Sequence, residues 1–239
     1  VTFSLNLNRA NYSEDLLNIE INHLIETAAP PTENWRRYLG VSAAGSPCLR
    51  KIQFDWMADP VLKVRSRDIF ARGHFFEEQM RQHLITAGFV FAGKDKLGFS
   101  ELGGLFRGHA DGIILSGPLT SLMYPCIWEA KCLNAKGWRS VEKDGLRGIY
   151  DGYVTQVNLY QAYLDLPNPA LFSVVNADTA EKLFFLVSFD AQRAQMMSDR
   201  ALTVIEATKA GELLSRAYDD PNDWHCKLCS HTNRCWKLG

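Results

Sequence analysis

The chain has 239 residues, a net charge of -1, 46% apolar and 22% charged residues, 17 Gly and 9 Pro. These values exclude disordered, collagen-like and coiled-coil classes, because the apolar share can build a core and neither Gly nor Pro is in excess. No apolar run reaches the roughly 18–20 residues of a membrane span, and no basic and apolar leader pattern is visible at the start, so a soluble cytoplasmic protein with no membrane partner is expected.

Residues 11–28 read as an amphipathic helix with Leu16, Leu17, Ile21, Leu24 and Ile25 on one stripe, ended by Pro30 and Pro31. Ser46-Pro47 predicts the cap and first position of a second helix that runs through Leu49, Ile52, Phe54 and Met57. A third is expected over about 66–87, with Ile69, Phe76, Met80, Leu84 and Ala87 as its core stripe and Gly88 as its stop. From Phe89 to Lys131 short extended segments are punctuated by glycines, and 105–115 and 122–132 read as neighbouring strands about a turn at 116–118. Helices at 135–144 and 152–165, strands at 171–176 and 182–188, and a long helix at 190–217 follow. The tail after Pro221 is polar, Cys-rich and aperiodic. This order predicts a mixed α/β core with helical and Cys-rich additions at its ends.

Within WEAKC at 128–132, strand alternation puts Glu129 and Lys131 on one face and Trp128, Ala130 and Cys132 on the other. Asp111, in GHADG at 108–112, lies on the preceding strand. Two carboxylates and an ammonium converging on one sheet face are what metal-dependent phosphodiester hydrolysis needs. The carboxylates are hard oxygen ligands for a divalent ion, and the cation can orient water or offset developing charge. The same pattern also occurs as a solvated ion pair.

GHADG, then EAK, then Gln156 and Tyr160 in a Q-x3-Y element on the next helix resemble, in their order, the PD-(D/E)xK nuclease superfamily and its RecB-like branch. Ala110 stands where the superfamily name has Pro. The resemblance implies a restriction-endonuclease-like α/β fold, a central mixed sheet flanked by helices. It assigns residues 66–190 to the nuclease core, 1–65 to an N-terminal helical part and 191–239 to a C-terminal helix and Cys cap, all one nuclease domain. It also implies Mg²⁺ or Mn²⁺ held by Asp111, Glu129, the Ala130 carbonyl and His74 of RGHFFEE, with Lys131 as the catalytic lysine. His109 competes with His74 for that role.

Lys136, Arg139, Lys143 and Arg147 recur at spacings of three and four beside the EAK strand, a stripe suited to phosphate or to a solvated helix face. Tyr153, Gln156, Tyr160 and Tyr163 share a face of the next helix. The family resemblance points to Gln156 and Tyr160 as DNA contacts and leaves Tyr153 and Tyr163 as packing. Trp35, Arg36, Arg37 and Tyr38 mix aromatic and basic groups in a way that suits single-strand stacking or a short exposed loop.

The six cysteines divide by position. Cys226-x2-Cys229-x5-Cys235 is metal-ligand spacing that wants a fourth donor. Cys126 and Cys132 fall on the apolar strand face, which leaves Cys48 in SPCLRK. One distant Cys with a C-terminal triplet resembles the CRISPR-associated RecB-like exonucleases and AddB-type nuclease domains, which implies a [4Fe-4S] cluster. Zn²⁺, with His225 or His231 in place of Cys48, is the alternative. The function so implied is a DNA nuclease acting on single strands or ends, with a helicase or recombination, repair, phage-replication or adaptation proteins as partners. A non-catalytic DNA-end-binding module and a zinc-bearing interaction domain are the rivals.

Overall fold

The computed structural model describes residues 16–29, 36–57, 63–93 and 97–237. The stretch 11–15 of the first predicted helix and Trp35 of the aromatic-basic cluster lie outside these. Nine helices are described: α1 (Leu16–Ala28), α2 (Val41–Ala44), α3 (Leu49–Met57), α4 (Val64–Thr86), α5 (Ala135–Asp144), α6 (Asp151–Tyr163), α7 (Ala191–Ala210), α8 (Trp224–Lys227) and α9 (Thr232–Lys237). The strands are β1 (Leu39–Gly40), β2 (Val90–Phe91), β3 (Gly98–Glu101), β4 (Phe106–His109), β5 (Gly112–Ser116), β6 (Cys126–Leu133), β7 (Ala170–Asn176) and β8 (Lys182–Val187).

Among the described residues two sheets form rather than one. The larger is mixed, in the order β2-β5-β6-β7-β8, with β6 and β7 parallel and the other pairs antiparallel. The smaller has the order β1-β4-β3. The segment expected as one strand over 105–115 is therefore broken at Ala110-Asp111, its halves belonging to different sheets. Ala110 N donates to Leu97 O at 2.8 Å, and the Asp111 carboxylate takes the bond from Ala130 N that a continuing strand would have accepted. A tertiary bond replaces a ladder bond, and the chain turns there.

Alternation along β6 sends Cys126 and Trp128 into a cluster with Met80 and Leu84 of α4, and Ile127 into the opposite core with Val157 and Tyr160 of α6. Cys132 packs partly buried against the first cluster. Of the stripe expected on α4, Met80 and Leu84 are buried and Phe76 packs half-buried beside them, whereas Ile69, on the first turns, is exposed, and Ala87, exposed too, is the C-cap just past the helix end. No residue of α1 is buried, and its apolar stripe faces outward. None of the described helices is long and apolar enough to cross a membrane.

Two boundaries also move for tertiary reasons. Helix α3 starts at Leu49, not at Pro47, because Ser46 N closes a turn onto Ala43 O and the Ser46 and Pro47 carbonyls accept from Arg200 of α7. Helix α7 stops at Ala210, where Gly211 adopts a left-handed φ of 72° as its C-cap; a residue with a β-carbon pays for that conformation and Gly does not. The chain beyond it runs against α3, where Gln53 is bonded to Glu212 O at 2.6 Å and Leu214 N at 3.0 Å.

Helices α2 and α6 approach closely because glycines face each other: a Cβ on Gly45 would lie 2.6 Å from Gly152 Cα. Gly45→Ala is expected to cost about 1–3 kcal/mol by overpacking, read as a lower denaturation midpoint with an unchanged slope.

Candidate active site

Asp111 sits in the break between β4 and β5, and Glu129 and Lys131 lie on β6 two residues apart on one face. The β5–β6 register, Gly112 opposite Trp128, brings the Asp111 carboxylate over β6. Asp111 Oδ2 accepts from Ala130 N at 2.8 Å. Lys131 Nζ donates to Glu129 Oε1, which also accepts from Gln156 Nε2 at 2.9 Å. Gln156 Nε2 donates to the Tyr160 hydroxyl at 2.9 Å as well, and the Lys131 ammonium stands 5.3 Å from the centre of the Tyr153 ring. Thus the structure joins Asp111, Glu129, Lys131, Gln156 and Tyr160 in one network.

Glu129 is fully buried, and its Oε2 has no hydrogen-bond partner among the described residues. A buried carboxylate oxygen left bare is costly unless a cation or donor meets it. Burial pushes the Glu129 carboxyl up to about 8, with the negative Asp111 adding to the rise and Lys131 opposing it. Burial also raises Asp111, against the pull of Lys131 and the Ala130 N–H. For Lys131, burial works downward, but the Glu129 and Asp111 carboxylates outweigh it and hold the ammonium above its usual range.

A third carboxylate was not singled out by the sequence. Glu77 on α4 is raised by burial and then by Asp111, so it faces the same cluster. The signal that could have found it was the helical spacing from His74, at i and i+3. Three carboxylates against one lysine leave a negative surplus that a divalent cation would balance.

His74 lies at the rim, its side chain 81% exposed, with Nδ1 3.5 Å from Glu77 Oε2. It is close enough to act on Asp111 electrostatically. His109 ends β4 and is exposed. Gln156 and Tyr160 are 7% and 3% exposed, so they reach the network from beneath rather than facing outward. Burial, then the Glu129 charge, keeps the Tyr160 phenol well above its usual range and therefore protonated. Lys136, Arg139, Lys143 and Arg147 are exposed, while Trp138 and Val141 form the inner face of α5. Tyr163 stacks on Phe99 at 4.2 Å and is packing.

Cys48, Cys226, Cys229 and Cys235 line one cavity of about 290 Å³, together with His225 and His231. Cys48 comes from the start of α3 and the others from the α8–α9 tail. Arg50, buried on α3, donates from Nε to Leu214 O at 2.5 Å and from Nη1 to Cys235 Sγ at 3.9 Å. His231 Nε2 meets Asp55 Oδ1 at 2.7 Å, and Arg234 lies over the Phe54 ring. The tail is thus held on α3 by contacts of its own. Among the described residues, no group of three or more His, Cys, Asp or Glu side chains is close-set enough to hold a metal ion unaided.

No protein-family model matches the chain, and no curated protein sequence matches it significantly. Among solved structures it is similar to an alkaline exonuclease from Laribacter hongkongensis, with a TM-score of 0.52 at 13% identity over 73% of this chain and 89% of that one. The same exonuclease in complex with dAMP aligns with a TM-score of 0.51 at 12% identity, over the same shares. At this identity the likeness concerns the fold. The class it defines is a restriction-endonuclease-like α/β fold with mixed sheets flanked by helices, as the family resemblance implied.

Proposed function

We propose that the protein is a divalent-metal-dependent deoxyribonuclease acting on single strands or DNA ends. The observation that carries this reading is the bare, buried Oε2 of Glu129 within a cluster of Asp111, Glu77 and Lys131. Asp111, Glu129 and the Ala130 carbonyl would hold Mg²⁺ or Mn²⁺, with His74 and Glu77 at the rim. A shell of two carboxylates and one carbonyl completed by water is ordinary for Mg²⁺. When bound, the ion supplies Lewis-acid stabilisation of charge on the phosphate.

The chain's own residues do the rest. Lys131, fixed between Glu129 and the Tyr153 ring, presents an ammonium that orients a water or offsets charge on the scissile phosphate. Gln156 keeps Glu129 Oε1 turned toward Lys131 and leaves the buried Oε2 available to a cation. The basic residues Lys136, Arg139 and Lys143, exposed on the helix that follows the β6 strand, would meet the DNA backbone. They supply phosphate contact that is independent of sequence. Gln156→Leu, of similar shape, is expected to lower cleavage about 10–100-fold, the size typical of partners that orient metal ligands, with little change in DNA binding.

For the cysteine cavity we propose a [4Fe-4S] cluster with a structural role. The four thiols line one cavity of about 290 Å³, and the pattern of one distant Cys with a C-terminal triplet favours the cluster over a single Zn²⁺.

The test is incubation of end-labelled single- and double-stranded DNA, linear and circular, with Mn²⁺ and an EDTA control. Cleavage that EDTA abolishes is expected. Retention of DNA without cleavage would instead favour an end-binding module.

A further inference from the structure

A groove of about 450 Å³ opens beside the acidic cluster, where α5 faces the ends of β6 and β7. Tyr150, Tyr153, Phe172 and Lys136 are part of its wall. Tyr153 stacks on Phe172 and meets Tyr150 edge to face, with centroids 5.4 Å apart. The Lys131 ammonium stands 5.3 Å from the centre of the same Tyr153 ring. Tyr153 therefore belongs both to the groove wall and to the surroundings of the candidate catalytic lysine.

Tyr150 is 55% exposed although it has an aromatic cluster to pack into. Lys136, from the first turn of α5, is exposed on the same wall. The volume falls within the roughly 300–1,000 Å³ of small-molecule sites, and such sites combine an apolar, aromatic lining with a few polar groups. The matching occupant is flat and apolar on one part and anionic on the other, which describes a nucleotide unit. A base already stacked and paired in a duplex cannot lie on a protein ring, whereas an unpaired one stacks on any aromatic surface without regard to sequence.

We infer that this groove is the subsite for one unpaired base of a single-stranded DNA substrate, seated against Tyr150 with its phosphate toward Lys136. The inference rests on the nuclease reading and names the strand form on which that site acts. Tyr150 also lines the cysteine cavity, so one side chain forms a wall of both recesses.

The experiment uses the full chain with its cysteine-bound group, Ca²⁺ to support binding without turnover, and single-stranded oligonucleotides carrying 2-aminopurine at successive positions. Quenching confined to one position is expected. An abasic residue there should weaken binding about tenfold. Tyr150→Ala should erase both effects and Tyr150→Phe preserve both. Ser140→Trp, which fills the groove from the α5 side, should reproduce the Tyr150→Ala result by an independent route. Uniform quenching along the strand, or an abasic penalty that both Tyr150→Ala and Ser140→Trp retain, would overturn the subsite. Cleavage by the parent protein in Mn²⁺ separates the two readings. Position-specific quenching without cleavage overturns only the nuclease, and cleavage without position-specific quenching overturns only the subsite.

Discussion

Asp111→Asn is expected to abolish metal-dependent cleavage of DNA while leaving the thermal unfolding curve nearly unchanged. The amide oxygen of Asn can still accept from Ala130 N, so the break between β4 and β5 keeps its tie to β6. What is lost is one negative charge and one hard oxygen ligand. The expected loss exceeds about 10²-fold, the upper end of what removal of a merely orienting partner costs. Lys131→Ala should abolish cleavage too, but it is a less clean experiment. It removes the ammonium from a carboxylate that is wholly buried, and breaking such a pair costs up to about 3–5 kcal/mol. With the Lys131 side chain 20% exposed, solvent screening reduces that figure. Undiminished cleavage by Asp111→Asn would remove the assignment, whatever Lys131→Ala does.

Cys226→Ser is expected to bleach a broad absorbance near about 400 nm that thiolate-bound iron would give, and to lower the melting temperature by roughly 10–20 °C. The second figure follows from topology. A group joining Cys48 to the tail closes a loop of most of the chain, and a cross-link of that span is worth about 5 kcal/mol in the chain-entropy model. In a chain of this size each kcal/mol moves the midpoint by about 2–4 °C. Arg50, Gln53 and the His231–Asp55 pair hold the tail on α3 independently, so the α/β core should remain folded. Cys126→Ser is the matched control: its thiol is buried beside Trp128, burial pushes it up to about 11, and the absorbance should persist. A colourless parent protein carrying one equivalent of Zn²⁺ would keep the four-cysteine site and replace its occupant.

The active-site argument could be made from sequence because strand alternation is local. Glu129 and Lys131, two residues apart, must share a face, and Trp128 with Cys126 must take the other; the two core clusters divide along that line. Helix α5 was equally readable: Asn134 caps it through Gly137 N, and Trp138 and Val141 face in while the lysines and arginines face out. Readings that depended on what an element packs against fared worse. The stripe on α1 has helical spacing, but no described element covers it, and Ile69, expected in the core stripe of α4, is exposed. Gln156 and Tyr160 kept their place on one helix face. That face turned inward, because it supplies the hydrogen bond that positions Glu129.

The amino-acid sequence by itself determined most helices and strands of the core, the shared face of Glu129 and Lys131, and the apolar strand face of Cys126 and Cys132. These follow from periodicities of two and 3.6 residues and from short spacings, which the chain carries locally. Tertiary structure alone decided the break at Asp111, the recruitment of Glu77, the gathering of Cys48 with a tail some 180 residues away, and the groove between Tyr150 and Lys136. Each of these joins residues remote in sequence. Their encounter depends on how whole elements stack, and no local pattern encodes that.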